Sequence, residues 1–122
     1  MNLKRVVVTG LGALTPIGNN KDDYWKALLA GQSGCAPITH FDTEHFKTKF
    51  ACELKNFDAL DHFDRKEARK TDKFAQYAMV ASSEAIADSR LNLDKIDKFR
   101  VGVIWGAGIG GIDTVSYTHL TL

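Results

Sequence analysis

The chain has 122 residues, with 16 Lys and Arg against 15 Asp and Glu, a net charge of +1, and 44% hydrophobic residues. That is room for one domain with a core and not for two. With the charges so nearly balanced, any acidic partner has to be met by a local patch. Two cysteines, Cys35 and Cys52, fall outside any C-x-x-C pair and fit a cytosolic protein with reduced thiols. No stretch has the length of a transmembrane helix, and the apolar run after Lys4 and Arg5 is too short for a signal peptide.

Val6, Val7 and Val8 form an unbroken β-branched run between charge and glycine. Such a run predicts a parallel strand buried on both faces. Gly10 and Gly12 permit a tight turn or a close approach, and Pro16 and Gly18 make the exit loop rigid and sharply bent. Asn20 is placed to cap a helix over 21–30, with Asp22 and Asp23 in its first turn and Gly31 just past its end. Trp25, Leu28 and Leu29 share a face that is expected to pack on the sheet.

Residues 32–43 read as a loop, broken by Gly34 and Pro37. His40 and His45 flank Glu44 but fit no standard ligand spacing, so they read as solvated and no metal is expected. Residues 46–55 alternate, with Phe46, Phe50, Cys52 and Leu54 on one side, as in a half-exposed edge strand. Cys52 then reads as a small core residue and Cys35 as an unactivated loop thiol.

Residues 61–73, DHFDRKEARKTDK, are the most charged stretch. As a helix they put Arg65, Lys66, Arg69, Lys70 and Lys73 in an arc of about 140°. Spacing alone reads this as a solvated face laced by i, i+3 and i+4 pairs, or as a docking patch for an acidic partner. Nucleic acid fits less well, because Phe63, Phe74 and Tyr77 look like core anchors. Residues 74–88 predict a second helix, with Ala78, Ala81 and Ala85 forming a small stripe for close packing. After a short connection at 91–98, residues 100–111, RVGVIWGAGIGG, predict a second buried strand running into glycine. Gly106, Gly108 and Gly111 satisfy G-x-G-x-x-G, a dinucleotide fingerprint in the right context. Against it, the acidic ribose contact about 20 residues on has no room, and Asp113 sits where a pyrophosphate would meet the next helix.

In order along the chain, VVVTGLGALTPIGN, WKALLAGQSG, HFDTEHFKTKFA, RKEARKTDKFAQYA and GAGIGG resemble the opening segment of the β-ketoacyl-acyl-carrier-protein synthase II family, condensing enzymes of type II fatty acid synthesis. The resemblance implies an α/β, thiolase-like layered fold, of which residues 1–114 would be the N-terminal part only. It implies a cytoplasmic homodimer that needs no cofactor and works with neither nucleic acid nor a membrane. Its chemistry would be a decarboxylative Claisen condensation between acyl and malonyl carrier proteins, carried by one cysteine and two histidines. Neither Cys35 nor Cys52 matches that nucleophile, and none of His40, His45, His62 or His119 matches the pair, so no catalytic residue is expected in this chain. Lys66, Arg69 and Lys70, with Arg65 beside them, match positions that dock the acidic acyl carrier protein, which turns the reading of that stretch toward docking. Ile109, with Gly108 beside it, matches the lining of the acyl pocket; the alternative for Ile109 is plain core. Residues 115–122, VSYTHLTL, do not resemble the family's continuation and are expected to be a non-native tail. The chain alone is then expected to be inactive and poorly soluble. A small dinucleotide-binding module and a non-catalytic carrier-binding domain are the other readings.

Overall fold

The computed structural model describes residues 3–112 and 114–115. Among them, the regular elements fall into two units, one formed by Gly12–Phe57 and the other by the stretches on either side of it.

The Gly12–Phe57 unit opens on a turn in which the Thr15 N–H donates to the Gly18 carbonyl at 2.9 Å and the Gly18 N–H returns the bond at 3.2 Å. Pro16 occupies the position where its fixed φ favours a turn. Helix α1 (Lys21–Leu29) follows. Asn20 is extended and its side-chain oxygen accepts from the Asp23 N–H at 2.8 Å. At the other end Gly31 takes φ +63°, the Gly31 N–H donates to Leu28 and the Gln32 N–H donates to Ala27, closing the last carbonyls. The cap residues thus act as the sequence predicts. The packing does not: Ala27 is the buried residue of α1, while Trp25, Leu28 and Leu29 stay exposed.

The sheet that was to cover that face is small. Strand β1 (Ala36–Pro37) pairs antiparallel with β2 (Phe50–Ala51), Ala36 opposite Ala51 and Pro37 opposite Phe50. Pro37 has no N–H to donate, and only the bond from the Ile38 N–H to the Lys49 carbonyl, 3.1 Å, carries the pairing further. The stretch read as a loop therefore supplies a strand, and the strand read over 46–55 is paired for two residues only. Because so short a ladder buries little, Phe46, Phe50 and Cys52 are exposed, which corrects the core reading of Cys52. Between the strands, Phe41 and Phe46 meet edge-on at 5.4 Å. Glu53 draws the returning strand back to Thr39: the Thr39 hydroxyl donates to its carboxylate at 2.7 Å.

The other unit holds a 3-10 turn at Ala59–Asp61, helix α2 (Arg65–Lys70), helix α3 (Lys73–Ser89) and a 3-10 turn at Lys98–Arg100. Helix α3 buries Gln76, Ala78 and Ala81 and ends at Arg90 in the left-handed region, φ +52°. A Cβ on Gly10 would overlap the Ala85 carbonyl and Ser89, so this glycine lets the chain run close against α3. Leu11 is tied to the same helix by its N–H, which donates to the Asp88 carboxylate at 2.9 Å.

The two apolar runs are not the buried strands the sequence predicts. Residues 6–8 and 101–105 join no ladder. Val6 is 89% exposed and Ile104 98%. A central parallel strand requires a hydrogen-bonded neighbour on each side and a layer over each face, and the described residues supply neither. No helix among the described residues is long and apolar enough to cross a membrane.

Candidate functional site

Arg65, Lys66, Arg69 and Lys70 all lie on α2 and all are exposed. At 100° per residue they span an arc of about 140°, and Glu67 falls outside it. Lys73, placed on the same arc by the sequence, does not belong to it: Thr71 is extended, φ −112° and ψ 124°, and the helix restarts at Lys73 as α3. Among the described residues, none of the four α2 cations forms an ion pair, so the i, i+4 lacing is absent and the charge faces solvent.

A six-residue helix is too short to stand by itself. The Asp64 carboxylate caps it, accepting from the Glu67 N–H at 2.7 Å. At the other end Gln76, 6% exposed, donates its side-chain amide to the carbonyls of Ala68 (2.9 Å) and Thr71 (2.8 Å). The last turn of α2 is thereby fastened to the first turn of α3. Arg69 and Lys70 lie in that last turn, at the negative end of the short helix, where cations are favoured.

Gly108 and Ile109 form an exposed turn, Ile109 being 79% exposed. The glycines around them are not equivalent. Gly106 and Gly108 have open space where a Cβ would be, whereas Gly110 lies against the Phe74 ring and Gly111 takes φ +71°. A Cβ on Gly111 would sit 2.9 Å from the Asp72 carboxylate, which accepts a hydrogen bond from the Thr114 hydroxyl. That carboxylate stands where a bound pyrophosphate would need positive potential, so the loop is a poor phosphate cradle. Asp113, which the sequence reading set against a dinucleotide, lies outside the described residues, as do residues 116–122 of the stretch 115–122 expected to be a non-native tail. A groove of about 420 Å³ runs beside α3, lined by Phe74, Ala78, Met79, Ile86, Val103 and Trp105. Gly108 and Ile109 do not line it.

The remaining reactive side chains are scattered. Cys35 and Cys52 are exposed and unbridged, and no cluster of three metal-binding side chains occurs among the described residues. Sequence reading missed Asp72, Gln76 and Thr114. Gln76 was the one with a signal, as a lone amide inside an apolar, alanine-rich helix.

The family model "Beta-ketoacyl synthase, N-terminal domain" matches residues 3–121. The chain is 47% identical, over 122 residues, to 3-oxoacyl-[acyl-carrier-protein] synthase 2 of Vibrio cholerae, covering all of this chain and 30% of that protein. It is 48% identical over 119 residues to the synthase of the same name from Staphylococcus aureus, covering 98% of this chain and 29% of the relative. Among solved structures it is similar to the ishigamide ketosynthase/chain length factor, with TM-score 0.63 and 35% identity over 74% of this chain and 22% of that one. It is also similar to a ketosynthase, bound to the hexaketide, in complex with its type II polyketide synthase acyl-carrier protein, with TM-score 0.54 and 31% identity over 75% of this chain and 23% of that one. The chain thus spans about three-tenths of the length of the curated relatives it matches.

Proposed function

Since this chain belongs to the β-ketoacyl synthase family, as a stretch of its N-terminal domain in a thiolase-like fold, we propose that it serves a 3-oxoacyl-[acyl-carrier-protein] synthase II, which lengthens fatty acyl chains. In that reaction a cysteine thiolate takes the acyl group from its carrier thioester, malonyl carrier protein loses carbon dioxide, and the carbanion so formed attacks the acyl thioester. Donors aimed at the thioester oxygen stabilise the charge that develops. This chain supplies none of those groups. Its part is recognition: the cations Arg65, Lys66, Arg69 and Lys70 on α2 meet the acidic surface of the acyl carrier protein, and Gly108 and Ile109 border the acyl chain. A homodimeric, cytoplasmic enzyme is the setting.

The observation that carries this reading is the cationic face of α2, capped, exposed and free of ion pairs among the described residues. The similar ketosynthase complexed with its acyl-carrier protein supports the choice of partner. Clustered cations that steer an acidic partner are screened by salt. Titration of the chain with acyl carrier protein should therefore show binding that weakens as salt rises and is lost in the double variant Lys66→Glu, Lys70→Glu. The same chain should not condense malonyl and acyl carrier proteins. Binding indifferent to both salt and charge reversal would remove α2 from the recognition surface.

A further inference from the structure

The start of α3 holds two different parts of its unit at once. Gln76 reaches back, with its amide committed to the Ala68 and Thr71 carbonyls of the α2 end. Asp72 and Phe74 reach forward to the glycine turn. The backbone carbonyl of Asp72 accepts from the Ala75 and Gln76 N–H groups, each at 3.0 Å, and so begins the helix. Its carboxylate makes no cap bond to that helix. It is given instead to the Thr114 hydroxyl, with Gly111 passing against its other oxygen. Phe74, two residues on, lies beneath Gly110. The connection between α2 and α3 is only Thr71 and Asp72, and the first of these is pinned by Gln76.

A carboxylate that leaves its own helix uncapped to anchor a distant segment is an unusual use of the N-cap position. It makes the anchorage of the turn depend on where the first turn of α3 sits, and Gln76 makes that depend on the end of α2. We propose that Asp72, Thr114 and Gln76 are positioning residues that link the cationic face of α2 to the turn bearing Ile109, so that a partner seated on α2 orders that turn. The inference rests on α2 being a docking face. Docking fixes Arg69 and Lys70, and with them the carbonyls that Gln76 holds. The first turn of α3 is held more firmly in consequence, and the glycine segment is held with it through the Asp72–Thr114 bond. Coupling of this kind is read as order passed between sites.

Hydrogen exchange of the chain with and without acyl carrier protein at low salt tests it. In the natural chain, amides of α2 and of residues 106–112 both slow when the carrier is added, those of the turn by roughly five-fold, the scale of one hydrogen bond. Asp72→Ala and Thr114→Val should each keep salt-sensitive carrier binding and protection in α2, yet lose the response of the turn. Thr114→Val lies outside α3 and spares the helix start, so agreement between the two variants excludes misfolding as the cause. A turn that slows equally in both variants, or that ignores the carrier while α2 responds, overturns the link and leaves the docking reading standing. Absence of any salt-sensitive binding to the natural chain brings down the docking reading, and the link with it.

Discussion

Helix α1 is closed at both ends by residues adjacent in sequence: Asn20 accepts from the Asp23 N–H, and Gly31 and Gln32 return to Leu28 and Ala27. The valine run at residues 6–8 has a stronger apolar signal, yet it joins no ladder and stays exposed. The same contrast separates α3 from residues 101–105. A helix satisfies its backbone within itself and needs help only at its ends. A strand borrows every hydrogen bond and all its cover from segments remote in sequence. This chain spans about three-tenths of its curated relatives, and among the described residues the helices close on their own backbone while the apolar runs at 6–8 and 101–105 join no ladder.

The widest gap in stability should appear when the same charge is placed on each side of that contrast. Ala81 is buried on α3 and Val6 is exposed. Ala81→Asp places an unpaired carboxylate against packed backbone and should destabilise by about 3 kcal/mol or more. Val6→Asp should stay within about 0.5 kcal/mol. Urea titration followed by helical circular dichroism measures both. A cost for Val6→Asp comparable to that of Ala81→Asp would mean that the run is covered after all.

A cap tests the local half of the comparison at a smaller scale. Asn20→Ala removes the acceptor for the Asp23 N–H and should cost about 1 kcal/mol. The effect should be confined to α1, read as faster exchange of its first-turn amides with α3 unchanged. Loosening of α3 to the same extent would show that the two helices do not hold themselves separately.

What was legible in the sequence follows the same division. The extents of α1 and α3, each to within one residue at either end, the cap at Asn20 and the left-handed Gly31 come from rules spanning a few residues, and the structure has them; of the two uses open to Gly10, a tight turn or a close approach, the structure shows the close approach, against α3. The break between α2 and α3 was not read, because charge alone does not distinguish one long helix from two; the extended Thr71 and the returning Gln76 amide make the corner. The burial of Cys52 was misread because alternation gives the side of a strand and not what lies over it. Of the candidate site, the four cations were legible as residues and as a face. The contacts that fasten that face, from Gln76 to the Ala68 and Thr71 carbonyls, lie between elements and leave no periodic trace.

The smallest effect concerns a contact that local rules do not give, the clasp of Glu53 on the β1–β2 hairpin. The Thr39 hydroxyl is the chief cause that holds the Glu53 carboxyl below its ordinary value of 4.5. Partial burial opposes it, and the Thr39 and His40 N–H groups and the nearby His40 ring add to it. A carboxyl with a lowered value in the folded hairpin binds its proton more readily once the hairpin opens. The clasp therefore contributes in full above pH 4.5 and is lost as pH falls through the lower, folded value. Glu53→Gln retains an oxygen for Thr39 but has no charge to lose. Exchange of the Thr39 amide, corrected for its intrinsic pH dependence, should quicken below pH 4.5 in the natural chain and stay level in Glu53→Gln. An equal rise in both would assign the acid sensitivity of the hairpin to some other carboxylate and leave the Glu53 clasp without a part in it.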